Sequence, residues 1–321
     1  MPRVQRRRFS AGAGVTALTA PFPYFGGKRR VAAEVWARLG NVANYIEPFF
    51  GSGAVLLARP HEPHIETVSD ADHYLCNLWR AIQAEPDAVA RWADWPVNEC
   101  DLAVRHAWLV TEGRARIAAC DTDAAHYDAQ VAGWWLWGAC SWIGSGWCSN
   151  DGPWSIKDGK WVKAGCGGIR RKRPHLSGAG QGINSITMDV TERLRAITVR
   201  LRRVRVVCGD WTRVAGDSVM LSREMFGVFL DPPYSVADRA DCYSQDCRKV
   251  AIHAATWARE IGHKLNARVA FAGYKGEHDF PGWTTFQWEA IGSVNAARET
   301  IWFSPACLSA DQPDMFGDRT P

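Results

Sequence analysis

The run Phe226-Gly227-Val228-Phe229-Leu230, followed at once by Asp231-Pro232-Pro233-Tyr234, constrains this chain more than any other segment. Five uncharged residues without polar alternation read as a buried strand. Two successive prolines lack backbone N–H donors and have a fixed φ, so they end the strand and hold their carbonyl groups outward at its carboxyl end. Ligands of open α/β folds bind at that edge. A carboxylate, a proline carbonyl and a tyrosine ring meeting there suit a flat base. Asp231 and the Pro232 carbonyl can accept from an exocyclic amino group while Tyr234 stacks on the ring. Taken alone, the tetrapeptide also fits a strand that simply runs into a proline-rich turn.

A second unit lies upstream. Residues 45–57, Tyr-Ile-Glu-Pro-Phe-Phe-Gly-Ser-Gly-Ala-Val-Leu-Leu, read as a short strand, a glycine turn and a helix start, a βα unit that brings backbone close to a ligand. The next candidate strand, residues 65–69, ends at Asp70, roughly 20 residues beyond the turn, where an acidic side chain can hold ribose hydroxyls. Leu56 stands where a third glycine of Gly-x-Gly-x-x-Gly would fall, and the chain has no Gly-x-x-x-x-Gly-Lys-Ser/Thr loop. Dinucleotides and nucleoside triphosphates are therefore disfavoured against a nucleoside without pyrophosphate, such as S-adenosylmethionine.

The order Tyr24-Phe25-Gly26-Gly27-Lys28, then Glu47-Pro48-Phe49-Phe50-Gly51-Ser52-Gly53, then Asp70, then a long insert, then Asp231-Pro232-Pro233-Tyr234 resembles the Dam-like (alpha-group) DNA adenine N6-methyltransferases, especially orphan enzymes of phages and prophages. The resemblance runs from about residue 22 to about residue 304. It implies an α/β, Rossmann-like methyltransferase fold with a mostly parallel seven-stranded sheet and an inserted target-recognition domain. It implies S-adenosylmethionine as cofactor, lined by Tyr24, Gly27, Lys28, Glu47, Phe49, Gly51, Gly53, Asp70 and Asp231. Asp210 and Trp211, after a strand at 204–208, would flank the cofactor's adenine, and Asp231, Pro232, Pro233 and Tyr234 would grip a flipped adenine of double-stranded DNA. Strands at 267–272, 284–290 and 300–304 would complete the sheet, with Glu299 beside the target-base pocket or simply solvated.

The same resemblance divides the chain. Residues 21–85 and 200–306 would form the catalytic domain and residues 86–199 the recognition domain, with a basic tail at 1–20 and a flexible tail at 307–321. The insert holds ten of the seventeen tryptophans, most of them expected to fill an aromatic core of its own. Trp142 and Trp147 are candidates to stack on or wedge between bases. Arg170, Arg171, Lys172 and Arg173 form a basic run between glycine-rich stretches, read as a loop on DNA phosphates or a guanine edge rather than a solvated charge run. The Asn- and Arg-containing aromatic stretch of the best-known members is missing from the insert, so their target sequence does not carry over.

Composition narrows the rest. A length of 321 residues with 47% apolar content can fill a large core, and a net charge of +4 permits contact with phosphates without requiring it. The ten cysteines include no Cys-x-x-Cys and no matching His/Cys pair at zinc spacing, so no metal site is expected. No apolar run approaches the roughly 20 residues of a membrane span. Arg6-Arg7-Arg8-Phe9-Ser10 before a small-residue stretch has the form of a twin-arginine export signal. Cleavage near Ala20 would leave residues 22–28 at a free terminus, so a cytoplasmic monomer with a disordered basic tail is expected instead. Two rivals stand beside adenine methylation: a cytosine N4-methyltransferase, whose acceptor presents the same amino group, and a catalytically silent DNA-binding protein on the same fold.

Overall fold

The computed structural model describes residues 18–24, 28–142, 147–148, 154–157, 160–163, 189–216, 224–233, 245–288 and 299–309. Seven strands form one sheet: β1 Asn44–Glu47, β2 Ile65–Asp70, β5 Val204–Cys208, β6 Phe226–Leu230, β7 Ala267–Tyr274, β8 Thr284–Gln287 and β9 Glu299–Phe303. Their order is β5-β2-β1-β6-β7-β9-β8. The pairs from β5 through β7 are parallel, and β9 runs antiparallel to both β7 and β8. The strands expected at 204–208 and 267–272 form as read, and the last two strands close the sheet as an antiparallel pair. A separate hairpin joins β3 Trp154–Lys157 to β4 Lys160–Lys163.

Strand order reverses beside β1: the chain proceeds from β1 to β2 on one side and later returns with β6 on the other. A crevice opens at such a switch point, outside the carboxyl ends of the strands. Glu47 closes β1, Asp70 closes β2, and Asp231 directly follows β6. All five residues of β6 are buried, as its unbroken apolar run requires between two helical layers. Gly227 keeps that strand close to its neighbour, since a Cβ there would approach Val42 to 3.0 Å.

The helices cover both faces. On one face α1 Ala32–Leu39 buries Ala32, Val35, Trp36 and Leu39, the i, i+3, i+4, i+7 spacing of a helical stripe. With it pack α2 Ala54–Leu57, α3 His73–Ala84, α4 Pro86–Ala93, α7 Ala129–Ser141 and α8 Val190–Leu201 in one continuous apolar cluster. The small helices α5 Glu99–Trp108 and α6 Arg114–Arg116 are joined by a π-helical turn, Leu109–Gly113. On the other face α9 Gln245–Gly262 buries Ala254, Ala255, Ala258 and Ile261 against Val228, Leu230 and Val269. The described helices of the 86–199 segment share their core with α3: Val89, Leu136, Trp137 and Ile197 lie in the same cluster as Leu75, Leu78 and Ile82. Burial of an aromatic side chain removes 150–250 Å² from water, so the tryptophans of α7 extend the main core.

Candidate functional site

The carboxyl edge of the sheet is shaped first by two glycines. Gly51 and Gly53 adopt φ of +47° and +63°, in the left-handed region that side chains with a Cβ rarely enter. A Cβ on Gly51 would stand 2.8 Å from Cε1 of Tyr24, whose half-exposed ring therefore lies directly over the turn. The Gly51 N–H donates to Asp70 Oδ2 at 2.8 Å, and the Asp72 N–H donates to Asp70 Oδ1 at 2.9 Å. Burial, reinforced by the neighbouring Asp72, pushes the Asp70 carboxyl up to about 6 against the pull of these backbone donors. Asp72 itself caps α3, accepting from the Tyr74 N–H at 2.8 Å.

Four further ionisable groups converge beside the turn, Lys28, Asp231, Glu299 and Glu47. The Lys28 ammonium lies 2.9 Å from Asp231 Oδ2 and 4.0 Å from Glu299 Oε2. Lys28 and Glu299 are buried, whereas the Asp231 side chain keeps 21% of its surface open at the crevice. Glu47 is buried, and its Oε2 accepts from the Tyr45 hydroxyl at 2.9 Å. Burial pushes the Glu47 carboxyl well up; the Tyr45 hydrogen bond opposes this, and the charges of Asp231 and Glu66 add to it. Tyr45 was not among the expected site residues. The signal was available, because two residues apart on one strand share a face.

Asp210 and Trp211 follow β5. Asp210 caps a short 3-10 turn, accepting from the Thr212 N–H at 2.9 Å, and the Gly209 N–H donates to the Asp70 carbonyl at 2.8 Å. The Trp211 ring is nearly buried, stacked on Phe49 at 6.0 Å and met edge-on by Trp257. The structure thus brings Tyr24, Lys28, Glu47, Phe49, Gly51, Gly53, Asp70 and Asp231 to one edge, with Asp210 and Trp211 joined through Asp70 and Phe49. Pro232 is buried and Pro233 half-buried immediately after Asp231. Gly27, Tyr234, Arg170, Arg171, Lys172 and Arg173 lie outside the described residues.

Trp142 and Trp147 already have partners. Trp142 stacks on His106 at 5.0 Å and 11°, and Trp147 packs against both rings. The Trp147 indole N–H donates to the Trp135 carbonyl at 3.0 Å, and its ring fills the space over Gly138 so closely that no Cβ would fit. Among the described residues no group of His, Cys, Asp or Glu is arranged to hold a metal ion, and no helix is long and apolar enough to cross a membrane.

A seven-stranded sheet of this order, with a glycine turn after its first strand, an acidic residue closing the second and Asp-Pro-Pro at the end of the fourth strand in the chain's central path, has the form of a Rossmann-like methyltransferase fold. Residues 24–94 match the family model of the D12 class N6 adenine-specific DNA methyltransferases, which use S-adenosylmethionine. The match supports adenine N6 methylation of DNA as the activity of this chain. It includes Tyr24, Lys28, the glycine turn and Asp70, while Asp231 lies beyond it. No curated protein matches the chain.

Proposed function

We propose that the chain methylates N6 of an adenine flipped out of double-stranded DNA, with S-adenosylmethionine held at the glycine turn and the target base held at Asp231. The observation that carries this reading is the contact of Lys28 with Asp231 at the switch point of the sheet. It ties the segment before β1 to the carboxylate after β6, so the cofactor edge and the base edge form one crevice.

The turn fits the cofactor. Gly51 and Gly53 let backbone approach a ligand without a Cβ in the way. Asp70 has accepted two hydrogen bonds and, with about four lone-pair sites on a carboxylate, has capacity for ribose hydroxyls. Tyr24 offers a ring over the turn, Phe49 stacks on Trp211 beside it, and Glu47 offers a buried carboxyl at the end of β1. Bound there, S-adenosylmethionine supplies an electrophilic methyl group. Lys28 holds one Asp231 oxygen and helps fix the rotamer of the side chain, and the carboxylate, partly open at the crevice, accepts an N6–H. The Pro232 carbonyl accepts the second N6–H, and Tyr234 is assigned the stacking face. These bonds aim the nitrogen lone pair and steady the positive charge that grows on it during transfer.

We place target recognition in residues 86–199, with Arg170 to Arg173 on phosphates or a guanine edge. Trp142 and Trp147 would support that surface through His106 rather than wedge between bases. A cytoplasmic orphan enzyme of phage or prophage type extends the reading; a cognate endonuclease cutting the same unmodified site in the source organism would overturn that extension.

Expression in a methylation-free bacterial host, followed by single-molecule sequencing of its DNA, tests the central claim. N6-methyladenine in a defined motif is the expected result. N4-methylcytosine in its place would transfer the reading to the cytosine rival, and unmodified DNA from cells holding soluble, cofactor-binding protein would reject duplex DNA as the substrate.

Asp70 supplies a pH prediction. Its ionised form accepts ribose hydroxyls, so cofactor binding favours the deprotonated state and is fully developed above pH 6. As pH falls through about 6, Asp70 takes up its proton. The Kd for S-adenosylmethionine is then expected to rise, approaching tenfold per pH unit well below that value. Titration calorimetry between pH 5 and 8 measures this, with Asp70→Asn as the control that flattens the profile. A Kd that is flat in the wild-type protein would remove Asp70 from the ribose site.

A further inference from the structure

The peptide between Gly51 and Ser52 is oriented from behind. Trp79, fully buried on α3, donates its indole N–H to the Gly51 carbonyl at 3.0 Å. In a planar trans peptide the C=O and N–H point in opposite directions. With the Gly51 carbonyl drawn back toward α3, the Ser52 N–H is turned to the far side of that peptide, away from the helix. Ser52 is buried, and among the described residues nothing accepts a hydrogen bond from its N–H. A buried backbone donor is paired in the great majority of native structures, so this one stands ready for a ligand.

The surroundings hold Trp79 in one pose. Its ring lies 5.9 Å from Phe22 and 5.2 Å from Phe50, and Phe22 in turn meets Tyr24 edge-on at 6.0 Å. On the other side of Gly51 the N–H is fixed by Asp70. Both peptides flanking Gly51 are therefore fixed, one by Trp79 and one by Asp70.

We infer that Trp79 is a positioning residue for the cofactor: its indole N–H sets the 51–52 peptide so that the Ser52 N–H is presented to an acceptor atom of S-adenosylmethionine. This rests on the assignment of the glycine turn to the cofactor. It predicts a defect centred on cofactor affinity, because the one side-chain hydrogen bond of Trp79 goes to the Gly51 carbonyl, and its ring otherwise packs in the apolar core.

The test replaces Trp79 by Phe, which keeps an aromatic ring against Phe22 and Phe50 and removes the donor. Calorimetric Kd for S-adenosylmethionine and its KM are expected to rise about tenfold, the factor that 1.4 kcal/mol of lost interaction represents. At saturating cofactor kcat should stay within about twofold, and KM for DNA should not change. If Trp79→Phe fails to fold, β-(3-benzothienyl)alanine introduced at position 79 keeps the bicyclic shape and lacks only the N–H. Unchanged cofactor affinity in either folded variant, with Asp70→Asn impaired, overturns the role of Trp79. Unchanged affinity in Asp70→Asn as well would overturn the cofactor assignment of the turn itself.

Discussion

Asp231→Ala is expected to lower the single-turnover rate of adenine methylation by a factor of about 10²–10³, the usual cost of removing one well-placed electrostatic group from a reacting centre. The direction follows from geometry. Asp231 sits just past the end of β6, with one oxygen 2.9 Å from the Lys28 ammonium and part of its surface open to the crevice. Removing the carboxylate takes away an acceptor for N6–H and the counter-charge for the developing positive nitrogen. It also changes the setting of Lys28, a buried cation that loses its 2.9 Å contact with Asp231. A thermal melt is therefore run alongside, to separate a slow enzyme from an unfolded one. Asp231→Asn keeps one acceptor oxygen and the side chain's shape, so it should fall between wild type and Ala. Rapid-quench measurement at saturating DNA and cofactor reads the step directly; near-normal turnover in folded Asp231→Ala would remove the carboxylate from the chemistry.

The placement of that carboxylate was legible in the sequence for a simple reason. In a parallel sheet every strand ends at the same edge, so any residue that closes a strand is automatically brought to it. Glu47, Asp70 and Asp231 each stand at or just past the end of a strand candidate, and their convergence needed no knowledge of pairing. The closing strands at 284–287 and 299–303 were expected from the family resemblance instead. What the pattern did not carry are contacts between segments that meet only after folding. Lys28 reaches Asp231 because β6 returns beside β1, a consequence of strand order that no local spacing encodes. Trp79 bonds a backbone carbonyl, and carbonyls leave no trace in residue identity. The tryptophans of residues 86–199 signalled an aromatic core, but α4, α7 and α8 pack their apolar faces onto α3, so that core is continuous with the sheet's own layer. A tryptophan free to stack on a base and one already stacked on His106 look identical in a sequence.

The end of β2 remote from the site holds the largest expected effect on stability. Glu66 is buried between two guanidinium groups: its Oε1 accepts from Arg59 at 3.0 Å and from Arg200 at 2.8 Å, and its Oε2 accepts from Arg200 at 2.7 Å. Arg59 has no exposed side-chain surface, stacks over Trp36, and donates its second nitrogen to the Val42 carbonyl. Burial already pulls the Arg59 guanidinium below its ordinary range, and Glu66 is the main influence raising it again. Glu66→Ala leaves two like charges close together, one of them with no water to turn to. Breaking a buried pair from one side costs about 3–5 kcal/mol, because the abandoned charge keeps its desolvation penalty. Against a total stability of about 5–15 kcal/mol this is a large share, and the melting temperature should fall by on the order of 10 °C. Glu66 stands four residues before Asp70 on the same strand, about 13 Å away at the rise of a β-strand. The rate per folded molecule at a permissive temperature should therefore stay near that of the wild type. Differential scanning calorimetry paired with active-site-titrated rates checks both halves. A melting temperature within about 2 °C of the wild type would mean that the cluster is solvated enough for water to replace the carboxylate.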